Sequence, residues 1–161
     1  MHGIESLEEI QKIFHPSRFA VLHHVFPSNA KRASHWDLLL EKMGSESDSL
    51  ITFEISNPPV NWTMQTVVTR LPDHRPIYLT YQGPVSTDRG FVHRVMDGTI
   101  EWLEFTEDRF VLRLIGKRWP GDASNNPVRP FSALLEIFRI SPALDTEQHW
   151  HMTLSELAVP S

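Results

Sequence analysis

Arg18-Phe-Ala-Val-Leu-His-His24 and, after a polar interval, His35-Trp-Asp-Leu-Leu-Leu-Glu41 are the segments on which the reading of the fold turns. Each is a short run of leucine, β-branched and aromatic residues bounded by turn formers, which is the pattern of a strand. Side chains alternate faces along a strand, so His35 and Asp37 share one face while Trp36, Leu38 and Leu40 share the other. In the first run Leu22 and His24 share a face. The intervening stretch from Pro27 to Ser34 is a loop by composition, and a turn there brings His24 alongside His35.

The same rhythm continues outward through LITFEIS (50–56), TVVTR (66–70), IYLTY (77–81), FVHRVM (91–96), TIEWLEF (99–105), RFVLRLIG (109–116) and LLEIFRI (134–140). The chain therefore reads as mainly β, and so many short strands in one domain suggest a sandwich or a closed barrel. Asp97-Gly98 between two runs predicts a type I′ hairpin turn, whose central positions need positive φ. Upstream, Ser6-Leu7-Glu8-Glu9 has the capping-box form, and Leu7, Ile10, Ile13 and Phe14 follow at helical spacing. This predicts a short N-terminal helix ended by Pro16. The stretch 120–130 reads as a second loop, and SPALDTEQHWHMTLSELAVPS (141–161) as a peripheral helical or irregular segment.

At 161 residues the chain has the length of a single domain, 1–161, with 40% hydrophobic and 22% charged residues. Cysteine is absent, which excludes disulfides, thiolate metal clusters and a cysteine nucleophile. The acidic start is unlike a signal peptide and no apolar run reaches bilayer length, so a soluble cytoplasmic protein with no membrane partner is expected. A formal charge of −5 argues against extended wrapping of nucleic acid, though not against gripping one strand terminus with a few arginines.

The chemistry concentrates in the first two strands. Two imidazoles, His24 and His35, and the Asp37 carboxylate form a mixed nitrogen and oxygen donor set with open positions, which suits manganese, iron(II) or zinc. Such a His-x-Asp pair is also common as a hydrogen-bonded surface pair. A second cluster, Asp73-His74-Arg75-Pro76-Ile77-Tyr78, offers a histidine able to move a proton near neutral pH and a tyrosine hydroxyl, in a turn leading into a strand. His149 and His151 read as solvated, and His2, His15 and His93 have no evident partner. There is no Walker motif, nucleophile elbow or dinucleotide fingerprint.

Taken in order, RFAVLHH, HWDLLLE, ITFEISNPP, PDHRPIYLTYQGPVSTDRG and VHRVMDGTIEW resemble the 3′-phosphoesterase domain of DNA ligase D over roughly Arg18 to Gly116, and more faintly to Ile140. The resemblance implies a small closed or partly closed β-barrel. It also implies a divalent metal, manganese in the first instance with zinc or another transition metal as the alternative. The implied activity is trimming of a nucleic-acid 3′ end, such as that of a primer-template or nicked duplex, in DNA repair beside an end-joining ligase or polymerase. His24, His35 and Asp37 then correspond to metal ligands, and His74 and Tyr78 to the phosphate-contacting pair in the catalytic site.

The chain departs from the pattern at the phosphate grip: Leu39, Asn57 and Thr66 stand where the family has arginine, lysine and arginine, and the His24 to His35 interval is longer. Lys31, Arg32, Arg75 and Arg89 are the candidate substitutes for binding substrate. A catalytically weakened module that binds a metal or an end-repair partner is the rival expectation. A metal enzyme acting on a small non-phosphate substrate is a more distant one.

Overall fold

The computed structural model describes residues 16–42, 49–85, 90–119, 127–139 and 149–158. The predicted N-terminal helix, much of the 120–130 loop, and Arg89, His2 and His15 lie outside them.

The alternating runs form strands β1 (Ser17–Val25), β2 (His35–Glu41), β3 (Leu50–Ile55), β4 (Thr66–His74), β5 (Gly83–Pro84), β6 (Phe91–Phe105), β7 (Arg109–Arg118), β8 (Arg129–Phe138) and β9 (His149–Glu156). All pairings among them are antiparallel, in the order β1-β2-β3-β4-β9-β8-β7-β6-β5, and β1 also pairs with β6. That extra pairing closes the sheet on itself, so the protein is mainly β with the ring-like closure of a partly closed barrel. β5 lies outside the ring on β6. No helix among the described residues is long and apolar enough to cross a membrane.

The interior takes one face of every strand in the ring: Phe19 and Val21, Leu38 and Leu40, Phe53 and Ile55, then Val68, Met96, Leu112, Leu135 and Met152 are all buried. Phe53 meets Phe110 and Trp150 edge-on, with ring centroids 6.1 and 5.6 Å away. Trp62 is fully buried too, held by its indole N–H donating to the Asn57 carbonyl at 2.8 Å.

A second apolar layer lies on the outside of the barrel. Ala20, Leu22, Leu39, Leu50, Leu79 and Val92 form it, with Tyr78, Tyr81 and Val85 packed against it. Both faces of β1 and β2 are thus covered, which accounts for the near-continuous hydrophobicity of AVL and LLL.

Three sequence expectations are corrected. IYLTY is not a strand: Pro76–Leu79 is a 3₁₀ turn, in which Tyr78 N–H donates to Arg75 and Thr80 N–H to Ile77. Pro76 lacks the N–H that a strand would need and suits the first position of such a turn. Just beyond it, Gly83-Pro84 is the short strand β5.

Asp97-Gly98 does not make a hairpin, because β6 runs through it without a break. Gly98 faces Gly116 of β7, where a Cβ on Gly116 would fall 1.9 Å from the Asp97 carbonyl oxygen. Close backbone approach is therefore what glycine serves here. The turn between β6 and β7 lies at Thr106–Arg109 instead, where Thr106 N–H donates to the Arg109 carbonyl at 2.9 Å.

The C-terminal segment is not peripheral over His149–Glu156: it is β9, inserted between β4 and β8. Trp150, Met152 and Leu154 point inward, while the polar residues between them face out and gave the segment the look of a solvated tail.

Candidate metal centre and adjoining cleft

The site lies on the outer face of β1, β2 and β3. The register sets His24 directly opposite His35, Leu22 opposite Asp37, and Asp37 opposite Glu54. The loop from Pro27 to Ser34 returns the chain and supplies Arg32 and Ala33 to the site, and Ser34 Oγ accepts the Phe26 N–H at 3.0 Å. Period two then presents His24, His35, Asp37 and Glu54 to one side of the sheet.

His35 and Asp37 are 3% and 5% exposed, a degree of burial at which an unpaired polar atom is costly. His35 Nε2 lies 3.2 Å from Asp37 Oδ1, and His24 Nδ1 lies 3.8 Å from Asp37 Oδ2. One donor atom from each of His24, His35 and Asp37 falls within 4.8 Å of the others. Yet His35 Nε2 and Asp37 Oδ1 have no hydrogen-bond partner among the described residues.

On the other side of the ring, His35 Nδ1 is 3.2 Å from the Ala33 carbonyl and 3.2 Å from Glu54 Oε1, both acceptors. Nδ1 therefore carries the proton, and Nε2 of the neutral ring turns its lone pair toward the lone pairs of Asp37. Two lone pairs so placed repel unless a proton or a cation lies between them. That is a donor set a divalent ion fits, with the outer hydrogen bond that orients a metal-ligating histidine already present.

Burial alone raises the pKa of Asp37, but contacts with the His24 and His35 imidazoles, with His74 also near, reverse this and lower it to about 2. Burial opposes the charged form of His35, and the Asp37, Ala33 and Glu54 oxygens outweigh it, so its pKa is raised.

A cleft of about 660 Å³ opens beside these residues. The 3₁₀ turn forms its far wall and supplies Tyr78, while β4 contributes Asp73 and His74 and the connection adds Arg75. His74 Nδ1 donates to the Pro72 carbonyl at 3.1 Å, which leaves Nε2 as the basic nitrogen of the neutral ring. Its ring meets Tyr78 edge-on at 5.9 Å, and the Arg75 guanidinium lies 5.9 Å from the Tyr78 ring centroid. Arg32 closes the near side, 5.8 Å above Phe26, which itself stacks on His24 at 4.2 Å.

Of the residues expected from sequence, His24, His35, Asp37, His74, Tyr78, Arg32 and Arg75 all line this one cleft. Lys31 is exposed and does not line it. Leu39 is buried in the outer apolar layer, so a guanidinium at that position would have to displace part of that packing. Glu54 is not among the residues the sequence singles out, and Asp73 stands in the second cluster without an assigned role. Asp73 is bound by Lys42 at 2.8 Å and Ser49 at 3.0 Å. Glu54 could have been found as the one ionisable residue in ITFEIS, on the strand next to HWDLLLE.

The chain matches no protein-family model, and no curated protein is significantly similar to it. Its function rests on the geometry of this cleft and on the ordered sequence blocks.

Proposed function

We propose that the protein is a divalent-metal-dependent phosphoesterase-like hydrolase that trims a 3′-phosphate or 3′-ribonucleoside from a nucleic-acid end in DNA repair. The observation that carries this reading is the buried pair His35 Nε2 and Asp37 Oδ1, 3.2 Å apart and without hydrogen-bond partners, at the head of a cleft that also holds His74, Arg32 and Arg75.

His24, His35 and Asp37 would hold the ion, manganese being the first candidate for two imidazoles and a carboxylate. When bound, such an ion polarises a phosphate ester and lowers the pKa of a water. Arg32 and Arg75, both lining the cleft, supply the positive charge that orients the phosphate, in place of the arginine position occupied by Leu39. His74 holds a proton on Nδ1 through Pro72, so its Nε2 is the atom that takes or returns the second proton during cleavage. Tyr78, whose ring meets that of His74 edge-on, offers its hydroxyl beside it, and the apolar side chains of Leu22, Leu71 and Val92 line part of the cleft.

A primer-template ending in a 3′-phosphate or ribonucleotide, incubated with Mn²⁺, tests this directly. The wild type is expected to shorten the end, and His35→Ala or Asp37→Ala to lose the reaction by at least about a hundredfold. Because both side chains face the cleft and not the barrel interior, circular dichroism of the two variants should retain the β signature. Metal uptake by a wild type that turns over none of these ends would favour the second reading, a weakened module that binds a metal or an end-repair partner. The buried Leu39 and the net charge of −5 are what speak for it.

A further inference from the structure

Glu54 reaches two of the groups just described with one oxygen. Its Oε1 accepts from the Arg32 guanidinium and lies 3.2 Å from His35 Nδ1. The carboxylate is only partly exposed, 23% for its side chain, and β2 and β3 place it directly across from Asp37. Like charges in directly opposed positions are unfavourable unless cations intervene. Here Arg32 answers the charge of Glu54 on one side, and the His35 ring stands between the two carboxylates on the other.

We propose that Glu54 is a positioning residue that fixes the His35 ring with Nε2 toward Asp37 and, through the same oxygen, tethers Arg32 at the mouth of the cleft, coupling anion capture to the metal site. The inference rests on the metal reading above. Its physical content is competition. An anion that draws Arg32 away leaves Glu54 Oε1 with His35 Nδ1, whose N–H it then shares with the Ala33 carbonyl, and a carboxylate beside the outer nitrogen makes the inner nitrogen a stronger donor. By linkage, whatever Arg32 release does for the ion, the ion does for Arg32 release. Arg32 comes from the loop between β1 and β2 and Glu54 from β3, so the coupling joins two elements through a direct ion pair.

Two measurements test it. In metal-free protein, at a pH where the His35 imidazole is neutral, ¹⁵N NMR should show the Nδ1-protonated tautomer in the wild type. Glu54→Ala should shift those ring signals, and Glu54→Gln, which keeps an acceptor, should restore them in part. Calorimetry with Mn²⁺ alone should then show affinity falling about ten- to a hundredfold in Glu54→Ala. Arg32→Gln, which imitates the released arginine, should tighten Mn²⁺ by about fivefold. In the Glu54→Ala background the Arg32→Gln effect should vanish. Unchanged His35 signals in Glu54→Ala, or an Arg32→Gln effect of equal size in both backgrounds, would overturn the proposal. A wild type that takes up no Mn²⁺ would instead sink the metal reading, and the tautomer measurement would still decide the role of Glu54.

Discussion

Asp37 and His35 depend on pH in opposite directions, and the metal-free protein should show both limbs. The folded pKa of Asp37 is depressed to about 2 from an ordinary 3.8, so its contribution is present above that ordinary value and is lost as the pH falls toward 2. That contribution is about 2 kcal/mol, from 1.36 kcal/mol per unit. The pKa of His35 is raised above 6.5, so its contribution is full below 6.5 and disappears as the pH climbs through the folded value. Denaturant titrations should therefore find the greatest stability between about pH 4 and 6.5, and Asp37→Asn should flatten the acid limb. Affinity for Mn²⁺ should run the other way, rising from pH 6 to 8, because the ion must displace the proton from His35. An affinity independent of pH in that interval would place the ion elsewhere.

At the scale of elements, the close approach of β6 and β7 is a sensitive point outside the site. A Cβ on Gly98 would fall 2.1 Å from the Ile115 carbonyl oxygen, and one on Gly116 would meet the Asp97 carbonyl. Either alanine variant must push backbone away from backbone. A loss of about 1–3 kcal/mol or more is expected for each, read from the denaturation midpoint. Were Asp97-Gly98 the hairpin turn that its dipeptide suggests, Gly116→Ala would be nearly silent.

Trp150→Ala, in the inserted strand β9, should cost about 3–5 kcal/mol. A peripheral tail would tolerate it. The reason β9 was misread is physical. Its outward residues, His149, His151 and Thr153, are polar and exposed or half-buried, and its inward Trp, Met and Leu are too few to distinguish a strand from an irregular segment. IYLTY misled in the reverse sense: its apolar residues pack onto the outer layer through Leu79, as a strand's would, but on a turn set by Pro76.

For the whole molecule the relevant quantity is how little positive charge faces the cleft. With a net charge of −5 and two arginines lining the cleft among the described residues, the proposed contact with a nucleic-acid end should release few counterions. A plot of log affinity against log salt should have a slope of about −2, and Arg75→Gln should reduce it by about 1. A slope several times steeper would require basic residues beyond the two arginines that line the cleft among the described residues.

His-x-Asp on one strand, the histidine ending the strand before it, and the alternation that makes the chain mainly β were all determined by the sequence itself. They follow from the fixed two-residue period of an extended backbone, which assigns faces before any partner is chosen. What only the tertiary structure decided is long-range: the pairing of β1 with β6 that closes the barrel, the entry of β9 between β4 and β8, and the folding of the Pro76–Leu79 turn over the outer face to make a cleft. Local propensity cannot contain these, because each is fixed by which strands find one another across the chain. The same holds for Glu54, an ordinary residue in its own strand that becomes part of the site only when the register sets it opposite Asp37.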